Sequence, residues 1–206
     1  MKNKNNFNII IAGVGGQGII TLARILAQAA LIEGYNVKTS ELHGLSQRGG
    51  SVETHLRFGL PSESGKGIFS PLVRQGGADL IISLEMNESF KSCYYASLEK
   101  ETIFLINNFV IPIISDKKES FVGDPSEFKK FSKKAFLIPA TKIVEEEFKK
   151  PVLAGVLLLG TAIFRNLLPL NQNSIIKAMG EIVPPKYLSL NKEAFLLAGK
   201  IPKQLK

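Results

Sequence analysis

Residues 7–18 decide the fold, and they read Phe7-Asn-Ile-Ile-Ile-Ala-Gly-Val-Gly-Gly-Gln-Gly18. A run rich in β-branched residues that ends in glycines is typical of a buried strand followed by a tight turn. Residues 16–33 then carry apolar side chains at helical spacing, and residues 36–41 predict a second strand. Strand, glycine turn, helix and strand in this order predict a βαβ unit in which the two strands pair in parallel.

The rest of the chain continues the alternation of strands and helices. Residues 51–58 alternate polar and apolar, which predicts a half-exposed strand with Glu53, His55 and Arg57 on one face. Further strands are predicted at 78–84, 102–107 and 135–138, and helices at 87–98, 141–149, 152–166, 171–180 and 191–199. We therefore expect a single domain over residues 1–206, with an α/β sheet core at 7–140 and a mainly helical C-terminal part at 141–206. The predicted fold is a three-layer α/β/α sandwich around a mostly parallel, Rossmann-like sheet.

Composition excludes several classes of protein. The 206 residues include one cysteine, Cys93, so the chain forms no internal disulfide and cannot supply the ligands of an iron–sulfur cluster. The net charge is +8, from 26 basic and 18 acidic residues, and the excess lies almost wholly after residue 110. This uneven distribution argues against a nucleic-acid-binding protein. The longest apolar stretch, 152–164, is shorter than the roughly 20 residues that a bilayer requires. We expect a cytoplasmic chain without a membrane segment or a metal site of its own.

The first motif is Gly13-Val-Gly-Gly-Gln-Gly18, which follows the first strand and opens the first helix. Glycines allow close approach of a ligand, and a helix N-terminus offers unpaired N–H groups to an anion. This pattern fits NAD or FAD binding, for which Glu41 at the end of the second strand would be the acidic residue. It equally fits a turn that needs glycine only for tight packing, and both interpretations stay open at this point. The candidate binding residues are Gly13, Gly15, Gly16, Gln17 and Gly18.

The second motif is His43-Gly-Leu-Ser-Gln-Arg-Gly-Gly-Ser51. Its glycines make the backbone flexible, and Arg48 supplies one cation. The Arg48 guanidinium can bind a phosphate or a carboxylate through two hydrogen bonds. His43 titrates near neutral pH in its reference state and is a candidate proton carrier. The candidate catalytic residues are therefore Arg48, Gln47 and His43. The candidate binding or interface residues of this loop are Ser46, Gly49, Gly50 and Ser51.

The two motifs together resemble the gamma-type catalytic domain of the 2-oxoacid:ferredoxin oxidoreductases. Within that family, the His-Gly-x-Ser-Gln-Arg-Gly-Gly form is most similar to the beta subunit of the indolepyruvate branch. The resemblance is strong over residues 7–60, moderate to residue 107 and weak beyond. It implies a subunit, inactive alone, of an oxidoreductase that acts on the oxo group of a 2-oxoacid with an iron–sulfur protein as acceptor.

The resemblance also implies the partners and cofactors. Thiamine diphosphate, Mg²⁺ and [4Fe-4S] clusters are expected in a larger alpha subunit, with coenzyme A as co-substrate and ferredoxin as electron acceptor. The expected substrate is an aryl pyruvate. Two alternatives remain from the residues themselves: a stand-alone NAD(P)-binding oxidoreductase on a Rossmann fold, and a nucleotide-binding regulatory module.

Overall fold

The computed structural model describes residues 6–44, 49–60, 67–111 and 123–202. Within these residues, a six-stranded sheet has helices on both faces. The strands are β1 (Asn6–Val14), β2 (Asn36–His43), β3 (Ser51–Gly59), β4 (Leu80–Ser83), β5 (Ile103–Asn107) and β6 (Lys134–Ile138). The α-helices are α1 (Ile19–Ile32), α2 (Met86–Lys91), α3 (Ala140–Phe148), α4 (Ala154–Phe164), α5 (Gln172–Ile182) and α6 (Pro185–Leu197). Short 3-10 helices lie at Ser92–Tyr95, Pro125–Lys130, Pro151–Leu153 and Ala198–Lys200. The predicted three-layer α/β class is confirmed.

The strand order is β2-β3-β1-β4-β5-β6. The β1–β4, β4–β5 and β5–β6 pairs are parallel, whereas β3 is antiparallel to both β1 and β2. The predicted parallel pairing of β1 with β2 is therefore wrong, although the two strands run in the same direction. The short connection between β2 and β3 favours an antiparallel pair, and β3 then also bonds to β1 and separates it from β2.

The inner position of β3 also corrects its predicted exposure. His55 is only 1% exposed, because residues 67–77 and Tyr95 cover the polar face of the strand. The His55 Nδ1 atom accepts a hydrogen bond of 2.9 Å from the Val73 N–H, and Nε2 lies 3.0 Å from Glu53 Oε1. Since Nδ1 accepts, Nε2 carries the ring hydrogen and donates a hydrogen bond to the Glu53 carboxylate. Tyr95 donates a second hydrogen bond to the same Glu53 oxygen, at 2.8 Å.

Alternate residues of the central strands face two separate apolar clusters. Ile9, Ile11 and Leu105 pack against α1 and the helices that follow residue 140. Ile10 and Phe104 face the other side of the sheet, where α2, two 3-10 helices and residues 67–77 cover them. The C-terminal helices therefore share one core with the sheet and with α1.

Helices α1 and α6 begin three or more residues away from their predicted starts. Helix α1 begins at Ile19 rather than at residue 16, because Gly16 (φ 103°) and Gly18 (φ 81°) have left-handed backbones that cannot be part of the helix. Helix α6 begins at Pro185 rather than near residue 191, since proline fits the first position of a helix, where its missing N–H costs no hydrogen bond. No helix within the described ranges is long and apolar enough to cross a membrane.

Candidate functional site

The candidate site lies at the carboxyl end of the parallel strands, between β1 and β4. The chain leaves β1 towards α1 on one face of the sheet and leaves β4 towards α2 on the opposite face. Two neighbouring parallel strands whose connections diverge in this way open a crevice at their carboxyl ends, which is where ligands bind in open α/β sheets. The glycine turn lies at this edge, and so do the amino end of the antiparallel strand β3 and the last residue of β2, His43.

The glycines of the first motif have different roles. A Cβ on Gly13 would lie 2.6 Å from Gln17 Oε1 and 3.1 Å from Leu84 Cβ, so this glycine permits close packing. A Cβ on Gly16 would have no described atom within 4 Å, and a Cβ on Gly18 would approach only Val152, at 3.8 Å. Gly16 and Gly18 are instead required for their positive φ angles. The turn therefore combines one packing glycine with two conformational ones, and nothing among the described residues covers its outer side at Gly16.

Gln17 joins the glycine turn to β4. Its Oε1 atom accepts a hydrogen bond of 2.8 Å from the Val14 N–H, and its Nε2 atom donates one of 3.1 Å to the Leu84 carbonyl. A long amide side chain that both accepts and donates spans the gap between β1 and β4. This accounts for a residue that is unusual in a plain dinucleotide-binding loop.

Two backbone hydrogen bonds tie the second motif to the first. The Gly15 N–H donates to the Gly50 carbonyl at 2.8 Å, and the Gly49 N–H donates to the Gly15 carbonyl at 3.4 Å. The two motifs, about 35 residues apart in sequence, thus form one structural unit. Ser46, Gln47 and Arg48 lie outside the described residues, and their predicted roles stay predictions.

The hydroxyl of Ser51 is engaged with helix α2. It donates a hydrogen bond of 2.5 Å to Glu88 Oε2, while Lys91 Nζ donates to Glu88 Oε1 at 2.6 Å. Glu85, only 3% exposed, caps α2 by accepting a hydrogen bond of 2.9 Å from the Glu88 N–H. Ser51 therefore holds β3 against α2, and the predicted binding role of its hydroxyl would require this contact to break.

A chain of side-chain amides crosses the same edge of the sheet. The Leu84 carbonyl, which accepts from Gln17, also accepts a hydrogen bond of 3.0 Å from Asn107 Nδ2 at the end of β5. Asn107 Nδ2 donates further to Thr141 Oγ1 at 2.7 Å, and its Oδ1 accepts from the Thr141 N–H at 3.1 Å. Glu85, Glu88, Asn107 and Thr141 belong to neither sequence motif. Polar residues placed directly after buried strands were the available signal.

His43 and Glu41 lie near the carboxyl end of β2, and the predicted proton-carrier role of His43 stays a prediction. The His43 ring is exposed and lies 3.3 Å, through Nδ1, from the carbonyl of the adjacent Gly44. Glu41 pairs with Thr54 of β3, which in turn pairs with Ile11 of β1. With strands about 4.8 Å apart, Glu41 lies about 10 Å from β1. In a dinucleotide-binding fold the acidic residue ends a strand adjacent to β1. The inserted strand therefore argues against NAD or FAD binding at this turn.

The described residues show no cluster suited to a metal. Across residues 6–44, 49–60, 67–111 and 123–202, no three His, Cys, Asp or Glu side chains gather in a way that could hold an ion. Cys93 is half-buried, and burial raises the pKa of its thiol to about 12. A thiol in this environment stays protonated at neutral pH and is a poor ligand and a poor nucleophile.

Comparison with known proteins places this geometry in context. Residues 8–201 match the family model described as pyruvate ferredoxin/flavodoxin oxidoreductase. The chain is 34% identical over 210 residues to the indolepyruvate oxidoreductase subunit IorB of Thermococcus kodakarensis, covering 97% of each chain. Among solved structures, pyruvate oxidoreductase subunit PORC of Thermotoga maritima superposes with a TM-score of 0.67 at 21% identity, covering 96% of this chain and 97% of that one. The 2-oxoglutarate:ferredoxin oxidoreductase of Magnetococcus marinus matches with a TM-score of 0.72 at 18% identity, covering 99% of this chain but 32% of its own. These two structures show the fold alone.

Proposed function

Because this chain belongs to the pyruvate ferredoxin/flavodoxin oxidoreductase family and is a subunit of a 2-oxoacid:ferredoxin oxidoreductase, we propose that its enzyme oxidises an aryl pyruvate, indolepyruvate. The proposed reaction converts the 2-oxoacid anion, coenzyme A and two oxidised ferredoxins to acyl-CoA, CO₂, one proton and two reduced ferredoxins, each of which takes one electron. The match to an indolepyruvate subunit over 97% of both chains carries this proposal. The His43–Ser51 motif, read from the sequence independently, supports the same branch.

We further propose that the chain works only beside a larger partner that binds thiamine diphosphate with Mg²⁺ and the [4Fe-4S] clusters. The single, protonated cysteine of this chain fits poorly with cluster binding. In the 2-oxoglutarate enzyme, the equivalent unit makes up about a third of a longer chain. The IorB relative, matched over 97% of its length, is named as a subunit, and we expect such a unit to dock non-covalently on the rest of its enzyme.

Exposed apolar side chains at the carboxyl edge are our candidate docking surface. Ile20 in the first turn of α1 is 42% exposed, Val152 beside Gly18 is 53% exposed, and Leu42 near the end of β2 is 42% exposed. Single exposed apolar residues are ordinary on a protein surface. Three at the edge that also carries both motifs are better explained by a partner that covers them.

We assign an anion to the open turn between these apolar residues. The backbone N–H groups at the start of α1 have no acceptor within their own helix, and the helix dipole favours negative charge there. A phosphate of coenzyme A or the carboxylate of the 2-oxoacid supplies such a charge. Arg48, beside Gly49, is the proposed cation, and Gln47 and His43 are the other candidate catalytic residues of the same loop.

Reconstitution with the candidate partner tests the branch. The chain and its partner are co-expressed and purified, and ferredoxin reduction is measured with indolepyruvate, pyruvate and 2-oxoglutarate, each with and without coenzyme A. We expect CoA-dependent reduction with indolepyruvate in the complex and none with either chain alone. A complex that prefers pyruvate or 2-oxoglutarate would contradict the proposed substrate but not the family.

Arg48→Ala in the same complex tests the loop, with Arg24→Ala on the exposed face of α1 as the matched control. Loss of a charge-assisted hydrogen bond should reduce kcat/KM for coenzyme A or for the 2-oxoacid by about tenfold or more. The control should leave both values unchanged. Unchanged constants in Arg48→Ala would rule out the proposed role of the cation.

A further inference from the structure

A cavity lies at the opposite edge of the sheet from the glycine turn. It is a cleft of about 550 Å³, formed where β1, β5 and β6 begin and where the antiparallel strand β3 ends. Pockets for small molecules commonly measure about 300–1,000 Å³. Its position at the amino ends of the parallel strands separates it from both motifs and from the proposed docking surface.

An aromatic cluster lines one side of this cleft. Phe58 is buried, and its ring centroid lies 5.5 Å from that of Phe7 and 5.3 Å from that of Tyr35. Phe7 and Tyr35 are half-buried, so part of each ring faces the cavity. Partly exposed aromatic faces bind planar rings, and every nucleobase offers such a face.

Basic side chains line another side. Lys133 and Lys134 are adjacent and exposed at the start of β6, and Lys100 also borders the cleft. Lys100 has a φ of 57°, a left-handed conformation that lysine rarely adopts, and the Lys133 N–H donates to its carbonyl at 3.3 Å. Asp79 and Glu101 line the cleft as well, and the Lys100 Nζ atom donates to the Lys129 carbonyl at 3.3 Å.

We propose that this cleft binds a nucleoside phosphate, with the base against Tyr35 and Phe7 and the phosphates among Lys100, Lys133 and Lys134. Three cations match a phosphate chain better than a single carboxylate, and lysine binds phosphate as a point charge. The aromatic side of the cleft would contact the base of the nucleotide, which inorganic phosphate lacks. This site does not depend on the substrate of the enzyme, because none of its residues belongs to the carboxyl edge.

Calorimetric titration of the full chain with ADP tests the site, beside titrations with adenosine and with inorganic pyrophosphate. We expect ADP to bind at least about tenfold more tightly than either fragment, because only ADP meets both the rings and the lysines. If pyrophosphate bound as tightly as ADP, the aromatic rings would contribute nothing to the affinity, and the proposal would be overturned. The absence of ADP binding at millimolar concentration would also overturn it.

Substitutions locate the binding. Lys133→Ala with Lys134→Ala should weaken ADP binding by about tenfold or more. Tyr35→Leu, which keeps an apolar side chain but removes the ring, should weaken it by about fivefold. Lys100→Asn retains a residue that tolerates the left-handed backbone, so weaker binding in this variant reports the lost cation and not misfolding. Lys142→Ala, at an exposed lysine on α3, is the control and should have no effect.

One further variant separates this site from the proposed function. Gly16→Asn adds a side chain to the glycine turn at the other edge of the sheet, with a residue that tolerates a left-handed backbone, and should leave ADP binding unchanged. ADP binding that survives the lysine and tyrosine substitutions but is lost in a folded Gly16→Asn variant would place the nucleotide at the turn and overturn the proposal.

Discussion

Gln17→Glu tests whether the amide bridge holds the carboxyl ends of β1 and β4 together. The substitution keeps the shape of the side chain and one acceptor oxygen for the Val14 N–H. The atom that donates to the Leu84 carbonyl becomes a carboxylate oxygen, which faces another oxygen at about the same 3.1 Å distance. A donor–acceptor contact is thereby replaced by a repulsive contact between two acceptors.

The cost follows from the atoms involved. Loss of the neutral hydrogen bond to Leu84 removes about 1 kcal/mol, and the repulsion in a half-buried position adds about as much again. We therefore expect the free energy of unfolding at pH 7.5 to fall by about 2 kcal/mol. Gln17→Met removes both hydrogen bonds, leaves the Val14 N–H without its acceptor and should cost about 1–3 kcal/mol at any pH.

The pH dependence distinguishes the two variants. When the introduced carboxyl of Gln17→Glu is protonated, its O–H can donate to Leu84, so folding raises the pKa of this group above its unfolded value of about 4.3. The folded variant then binds more protons than the unfolded one, and its stability relative to the native protein recovers as the pH falls towards 4.3. The Gln17→Met deficit should stay constant over the same range.

Urea unfolding of the three proteins, followed by circular dichroism at pH 7.5 and pH 5, measures these differences. Other carboxylates titrate equally in all three chains and cancel in the comparison. A Gln17→Glu deficit that is the same at both pH values would refute the proposed geometry. So would a variant as stable as the native protein at pH 7.5.

Three further outcomes are expected from single residues. Gly18→Ala places a side chain at φ 81° and should lower the free energy of unfolding by about 1–2 kcal/mol, whereas Gly180→Ala, at an open position within α5, should raise it by about 0.5–1 kcal/mol in the same urea titration. His55→Phe leaves the buried Val73 N–H without its 2.9 Å acceptor and should cost about 1–3 kcal/mol, seen as a lower Tm; an unchanged Tm would contradict the assigned hydrogen bond. Because burial raises the pKa of Cys93 to about 12, its reaction with an aromatic disulfide reagent at pH 8 should be on the order of a hundredfold slower in the folded chain than in urea, and equal rates would contradict that environment.

Single strands, turns and helices were predictable, because the residue pattern that indicates each one lies within its own short segment of the sequence. The β-branched run ending at Gly13 and the helical spacing after Gly18 indicated β1, the turn and α1. The pairing of the strands was not predictable in the same way, since β3 lies between β1 and β2 through hydrogen bonds that no spacing rule reveals. A connection as short as residues 44–50 was the available indication of a hairpin.

The site was predicted in part. Both motifs were identified, but their joining through Gly15 and Gly50 was visible only in the structure. The amide chain from Gln17 through the Leu84 carbonyl to Asn107 connects positions 67 and 23 residues apart. Contacts at such separations depend on the order β1-β4-β5, which spacing along the sequence does not reveal.

The charges at the carboxyl edge bear on the proposed binding of an anion at the glycine turn. The described side chains bonded around Ser51 include two carboxylates, Glu85 and Glu88, and one ammonium, from Lys91. An anion at the glycine turn would meet this negative excess, against which the helix dipole of α1 supplies only about half a charge. A stable anion site therefore needs a further cation, either from the partner or from Arg48, which directly precedes Gly49. If Arg48 is that cation, the effect of Arg48→Ala on the affinity for coenzyme A or 2-oxoacid should shrink as ionic strength rises, because salt screens the charge that the variant has lost.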